Sequence, residues 1–276
     1  MAGDPGHPAA EGPAVVTAAL AEVGCGFPVH RVAIRAFGGD ARAASIDVAR
    51  RVADVIRDVV ASGDRPMVIS GSCDVAPAVF AGVGDDKAGV VWIDAHADFN
   101  TPESSASGFW PGMALAVLVG DCGAELWSAL GSRPVPSDRV SLFGVRSLSP
   151  PEEARRLERS AIRVVGWRDG EPDGDVGTAL DDLAGKVERV YVHLDLDALD
   201  PTIGSGVVDP PVPGGLSERQ LLALVDELRK RFELIGATIA TYTPANDEGA
   251  TRPVAVAVVR RLISDRAEPR RARRRA

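Results

Sequence analysis

Asp94, His96 and Asp98 occupy alternate positions in Val90-Val91-Trp92-Ile93-Asp94-Ala95-His96-Ala97-Asp98-Phe99-Asn100, directly after four consecutive apolar residues. In extended backbone alternate side chains share a face, so two carboxylates and an imidazole converge. Hard oxygen and borderline nitrogen donors in that arrangement suit one or two divalent cations. A second stretch, Val190 to Pro201, repeats the plan, with Asp195 and Asp197 alternating after an apolar run. Buried carboxylates are costly unless a cation or hydrogen bonds compensate them. Two such segments side by side would hold about two ions that share bridging carboxylates and a bridging water. Oxygen-rich ligation of this kind favours manganese over zinc. The competing reading of either stretch alone is a solvated, Asp-rich turn.

The elements that must position these side chains alternate between strand and helix. Val90 to Ile93, bounded by Gly89, suits a strand covered on both faces. Further strands are expected over Pro28 to Phe37, Met67 to Ile69, Arg139 to Gly144, Ala161 to Trp167, Val190 to Leu196 and Phe232 to Tyr242. Helices are expected over Ala44 to Val60, Val75 to Gly82, Ala114 to Val119, Ala124 to Leu130, Pro150 to Arg159, Thr178 to Ala184 and Val254 to Ile263. Another helix opens at Leu216 to Arg219, with Ser217 as its cap. This alternation predicts an α/β fold with a mainly parallel sheet, helices on both faces and right-handed crossovers.

Composition sets the outer limits. The chain of 276 residues fits a single domain over 14–265, preceded by a disordered Gly- and Pro-rich lead-in at 1–13 and followed by a basic tail at 266–276. A net charge of -8 argues against a nucleic-acid surface. No apolar run approaches the roughly 20 residues of a membrane span, and the N-terminus lacks a signal-peptide core. Three scattered cysteines give no disulfide framework, so a cytoplasmic protein is expected. The chain ends soon after its last helix, which leaves little to knit subunits together; a monomer is expected.

The motifs Asp94-Ala-His96-Ala-Asp98 and Leu194-Asp195-Leu196-Asp197-Ala198-Leu199-Asp200-Pro201, with Pro213-Gly214-Gly215-Leu216 downstream, resemble those of the arginase superfamily of ureohydrolases. The resemblance implies a three-layer α/β/α sandwich with a roughly eight-stranded, mainly parallel sheet and two Mn2+ per chain. The family's early Gly-Gly-Asp-His-Ser loop is similar to Ser70-Gly71-Ser72-Cys73-Asp74, where Cys73 falls at the histidine; Asp74 and an inert buried thiol are the alternatives. By the same resemblance one ion would be held by Cys73, Asp94, Asp98 and Asp195, and the other by Asp94, His96, Asp195 and Asp197. Asp98 would also orient a hydroxide bridging the two. Asn100 and Ser107 match positions that grip a substrate α-carboxylate. Ser149 and Glu152 lie in the loop that holds the α-amino group, so a small guanidino amino acid is implied.

Three departures from the family pattern bear on the substrate. Cys73 is the first. Pro111 stands where the family keeps a proton-carrying histidine, and Thr241 where it keeps an acid that pairs with the guanidinium. A strongly basic guanidinium needs a charge partner, and an amine leaving group needs a proton donor. The chain therefore resembles the branch that splits the less basic N-omega-hydroxy-L-arginine into L-ornithine and hydroxyurea, as in D-cycloserine biosynthesis. An arginase or agmatinase type acting on another amidine, and a non-catalytic metal-binding homologue, are the alternatives. His193, two positions before Asp195 on the same strand face, is read as a buried histidine, an orienter of a ligand or a substitute proton carrier.

Overall fold

Six strands, all parallel to their neighbours, run through the centre of the protein. The structure is a computed structural model and describes residues 6–32, 41–207 and 212–264. In chain order the strands are β1 (Met67–Ile69), β2 (Gly89–Ile93), β3 (Val140–Phe143), β4 (Arg163–Val165), a short antiparallel pair β5 (Trp167–Arg168) and β6 (Glu171–Pro172), then β7 (Arg189–Asp195) and β8 (Glu233–Ala240). The main sheet has the order β1-β8-β7-β2-β3-β4.

Helices cover both faces, which is why its central strands read as unbroken apolar runs. On one face α1 (Gly12–Glu22), α7 (Val176–Ala184), α8 (Glu218–Arg231) and α9 (Thr251–Ile263) pack over Val91, Ile93, Val192 and Leu194. On the other, α2 (Ala41–Ala61), α3 (Ala76–Val83), α4 (Ala114–Leu118) and α5 (Ala124–Leu130) pack over Val90, Trp92 and Tyr191, and α6 (Pro151–Arg159) adds Leu157. Ser217 caps α8 as expected, in a reciprocal capping box with Gln220.

The strand order explains where a site belongs. From β2 the chain proceeds outward through β3 and β4, then returns to β7 and proceeds the other way to β8. The β2/β7 pair is thus the point at which the winding reverses. Open α/β sheets bind ligands outside the carboxyl ends of strands at such a point. Asp94 and Asp195 leave the sheet there, because Ile93 lies opposite Leu194 in the register.

Several expectations need correction. The sheet has six strands among the described residues, not roughly eight. Residues 28–32 carry no strand, and the rest of the expected first strand, 33–37, lies outside the described residues. The lead-in is ordered where it is described: Pro8–Glu11 is a 3-10 turn that runs into α1. Its anchoring uses backbone contact instead of apolar periodicity. A Cβ on Gly12 would collide with the Tyr242 carbonyl oxygen, and one on Gly71 would lie 2.7 Å from the Ala9 oxygen. The basic tail at 266–276 lies outside the described residues.

Gly82, inside α3, sets the closest approach of α2 and α3. A Cβ there would lie 2.6 Å from Ile56 Cβ and 2.9 Å from the Ala53 oxygen. Alanine is the better helix former by about 1 kcal/mol. Overpacking costs about 1–3 kcal/mol and outweighs that gain. Gly82→Ala should therefore lower Tm, by about 2–4 °C per kcal/mol of net loss. A raised Tm in thermal unfolding would show that the helices have slack.

Candidate metal centre

The two acidic segments fold the way they do because their carboxylates cap their own turns. Asp94 accepts hydrogen bonds from the His96 backbone N–H at 2.7 Å and from Trp92 Nε1 at 3.0 Å. Asp195 accepts one from the Asp197 backbone N–H at 2.8 Å, and Asp197 accepts one from the Ala95 N–H at 3.1 Å. The last of these bonds ties the end of β7 to the end of β2. His96 Nδ1 lies 2.9 Å from Asp197 Oδ2 and 3.6 Å from Asp94 Oδ1. From the loop after β1, the Cys73 thiol donates to Asp195 Oδ2 at 2.9 Å. Asp74 faces the other way, its Oδ2 3.5 Å from Ser45 Oγ on α2.

Two residues here hold left-handed backbone. Asp98 has φ 48° and Thr241, immediately after β8, has φ 70°. For a β-branched residue this is strained, and such strain gathers at functional sites. Thr241 Oγ1 donates to Asp195 Oδ1, so the strained turn aims a hydroxyl at the acidic cluster.

The electrostatics are those of too many anions in too little water. Burial, then repulsion from Asp197, pushes Asp94 up to about 7. Asp98 and Asp195 are raised well above the carboxylate range by burial and by their acidic neighbours. Burial also raises the Cys73 thiol, with Asp195, Asp98 and Asp94 adding to it. Burial opposes the charged form of His96, but hydrogen bonds to Asp197 and Asp94 outweigh that and push it up to about 12. Burial works against the charge on Asp197, but the hydrogen bond and charge of His96, with the Ala95 N–H and Asp94, together hold it low.

A divalent cation pair fits these residues. Cys73, His96, Asp98, Asp195 and Asp197 line a cleft together with His7, Phe109, Pro111 and Thr241, and among the described residues no lysine or arginine lines it. Asp98 Oδ2 is buried without a hydrogen-bond partner. Ligand atoms of Asp94, His96 and Asp197 lie within 4.8 Å of one another, as do those of Cys73, Asp94 and His193. Asp94 belongs to both groups.

The remaining expected site residues fall further out. Asn100 Nδ2 donates to the Ser149 carbonyl at 3.0 Å, so the loops read as the carboxylate and amino-group grips do meet. Ser107 is exposed and accepts from the Phe109 N–H at 3.2 Å. Glu152 turns to Arg155 at 2.6 Å, away from the cleft. Its neighbour Glu153 turns inward, accepting the N–H groups of Phe99 and Ser149 at 2.9 Å each. His193 is fully buried, does not line the cleft and is pushed down to about 3 by burial, so it is not placed to carry protons to substrate.

Sequence reasoning passed over His7, Glu153 and Arg146. His7 reaches the cleft from the ordered lead-in, its Nδ1 accepting the Ala9 N–H at 3.3 Å. Arg146 donates to the carbonyls of Gly144, Asp197, Ala198, Leu199 and Val212 and so clamps the turn that carries Asp197. Only an arginine two residues past a strand end hints at that clamp in the sequence.

A parallel sheet thus carries, at its winding reversal, an acidic cleft whose donor groups suit divalent cations. The arginase family model matches residues 4–264. An arginase from Bacillus caldovelox is 32% identical over 223 residues, covering 78% of this chain and 74% of that protein. A native arginase structure from the same organism superposes with a TM-score of 0.80 at 28% identity, covering 97% of this chain and 94% of that one. An N(omega)-hydroxy-L-arginine amidinohydrolase from Streptomyces lavendulae is 31% identical over 193 residues, covering 69% of this chain and 65% of that protein. The chain belongs to the arginase family, a family of metal-dependent ureohydrolases that act on guanidino C–N bonds. No helix among the described residues is long and apolar enough to cross a membrane.

The raised groups fix a pH dependence. Asp94, at about 7 against an ordinary 3.8, makes the metal-free fold less stable as pH rises through that window. His96, at about 12 against 6.5, contributes stability that is complete below 6.5 and is lost as pH rises toward 12. Bound cations displace these protons, and affinity rises about tenfold per pH unit for each proton released. Added manganese should therefore raise Tm more at pH 8 than at pH 5; the reverse order in thermal scans would refute a protonated ligand set.

Proposed function

We propose that this chain hydrolyses N-omega-hydroxy-L-arginine to L-ornithine and hydroxyurea at a pair of divalent cations. Cys73, Asp94, Asp98 and Asp195 would hold one ion, and Asp94, His96, Asp195 and Asp197 the other. When bound, the cations would make water acidic enough to supply a nucleophile near neutral pH. Asp98, whose Oδ2 has no partner within the protein, is the carboxylate left to orient that nucleophile.

The substrate reading rests on one observation. The cleft wall carries Thr241 and Pro111, and every carboxylate that lines it belongs to the ligand set. Among the described residues a guanidinium entering here meets no spare carboxylate on the wall, and unpaired burial of a strong cation is costly. An N-hydroxyguanidine is less basic, and its extra hydroxyl can hydrogen-bond Thr241. Asn100 and Ser107 would grip the α-carboxylate, and Ser149 the α-amino group; Glu153 orients the loops that carry them, whereas Glu152 would reach substrate only through water. His7 is the one cleft imidazole outside the ligand set, and it takes the proton-exchanging place that Pro111 cannot fill. Arginases among the relatives make L-arginine the second reading.

Manganese-loaded protein should cleave N-omega-hydroxy-L-arginine with a higher kcat/KM than L-arginine. Faster cleavage of arginine overturns the substrate assignment. Thr241→Glu restores an anion to the wall and should raise kcat/KM for arginine about tenfold or more, the value of a charged hydrogen bond.

A further inference from the structure

His193 lies beneath the acidic cluster, on the β2/β7 pair opposite Trp92. Its ring stacks on that indole with centroids 3.8 Å apart and an interplanar angle of 23°. It is fully buried, and neither ring nitrogen has a hydrogen-bond partner in the protein. Buried polar groups are hydrogen-bonded in the great majority of cases, so an imidazole with both nitrogens unsatisfied needs an explanation. The surroundings supply one. A ligand atom of His193 lies within 4.8 Å of the Cys73 sulfur and of an Asp94 oxygen, and the same sulfur is 2.9 Å from Asp195 Oδ2. Zinc-type bonds of about 2.0–2.3 Å set tetrahedral donor atoms roughly 3.3–3.8 Å apart, so these groups need to close by only about 1 Å around an ion.

We propose that His193 takes the place given above to Asp98 on the deeper ion, so that Cys73, His193, Asp94 and Asp195 form a cage that selects zinc, cobalt(II) or iron(II) over manganese while Asp98 keeps its part in orienting the nucleophile. This rests on the reading of a cation pair given above and changes the character of one member. Thiolate and imidazole donors favour the later, softer divalent metals, whereas carboxylate sets suit manganese. The shallower position, built from Asp94, His96 and Asp197 near the mouth, keeps its oxygen-rich character. The pair is then made of unlike metals. Trp92 takes part by fixing the ring plane of His193 while its Nε1 holds Asp94.

Cobalt(II) tests this without turnover. Reduced, metal-free protein titrated anaerobically with cobalt should show a thiolate-to-cobalt charge-transfer band and the intense visible bands of four-coordinate cobalt. His193→Ala should weaken binding of that cobalt by more than about 100-fold, the most that an outer-shell partner costs. His193→Cys should about double the charge-transfer absorbance per cobalt, since it places a second thiolate on the ion; this spectrum decides if His193→Ala fails to fold. A loss of 100-fold or less in His193→Ala, or an unchanged band in His193→Cys, overturns the proposal. The outcomes separate it from the cation-pair reading. One cobalt per chain with bands that depend on His193 removes the pair and keeps the cage. Two cobalt ions indifferent to His193 remove the cage and keep the pair, and an absence of any charge-transfer band removes the cage.

Discussion

Mutual repulsion among acids at the ends of two adjacent parallel strands is the constraint around which this protein is built. Parallel register delivers Asp94 and Asp195 to the same edge of the sheet, and the alternation that follows adds Asp98 and Asp197. Two unit charges about 4 Å apart repel by about 4 kcal/mol at an effective dielectric of 20. Four carboxylates and a thiol cannot all ionise in such a place. Either protons or cations must enter, and the raised groups are the first solution while a cation pair is the second. Among the described residues no lysine or arginine on the cleft wall relieves the repulsion. Its arrangement makes sense as a cation trap.

Holding mutually repelling groups in place demands a rigid frame, and the frame is made of main chain. Backbone N–H groups of Ala95, His96 and Asp197 each fix a ligand carboxylate. Arg146 donates to five carbonyl oxygens and so positions the turn that carries Asp197. Glycine at 215 follows from this clamp, because a Cβ there would lie 2.6 Å from Arg146 Nη2. Asp200 completes the turn by accepting the N–H groups of Gly214 and Gly215. Glu153 plays the matching part on the substrate side, joining Phe99 to Ser149.

The central strands and the acidic cluster at their ends were legible in the sequence because burial on both faces and period-two acids leave an unmistakable local pattern. Met67 to Ile69 and Ala124 to Leu130 were assigned to the residue for the same reason. The lead-in was not legible. Ala9 and Gly12 dock through close backbone approach, and small residues in a Gly- and Pro-rich stretch carry no periodicity that could announce it. His7 was hidden with them. Glu152 and Glu153 were indistinguishable in the sequence, since the one that faces inward is set by hydrogen bonds from the Phe99 and Ser149 N–H groups, which local composition does not encode. His193 was visible as an oddity, but its stacking on Trp92 depends on strand register.

The exchanges at Cys73, Thr241 and Pro111 make physical sense only together. In the ligand set proposed above, a thiolate at Cys73 would bring one more negative charge than a neutral imidazole, giving five anionic donors in Cys73, Asp94, Asp98, Asp195 and Asp197. With two divalent cations bound, as proposed, the site is already more than neutralised. An additional acid at position 241 would add to that excess, and Thr241 instead donates a hydrogen bond to Asp195, drawing charge away from the ions. A more electron-rich ion pair polarises its substrate less strongly, which favours a substrate whose own leaving group departs with less help. Loss of a proton carrier at position 111 is tolerable under the same condition, and an imidazole on the ordered lead-in stands on the same cleft wall. Substrate basicity and ligand charge are thus coupled: changing either alone would leave a charge without its partner among buried carboxylates, which is costly.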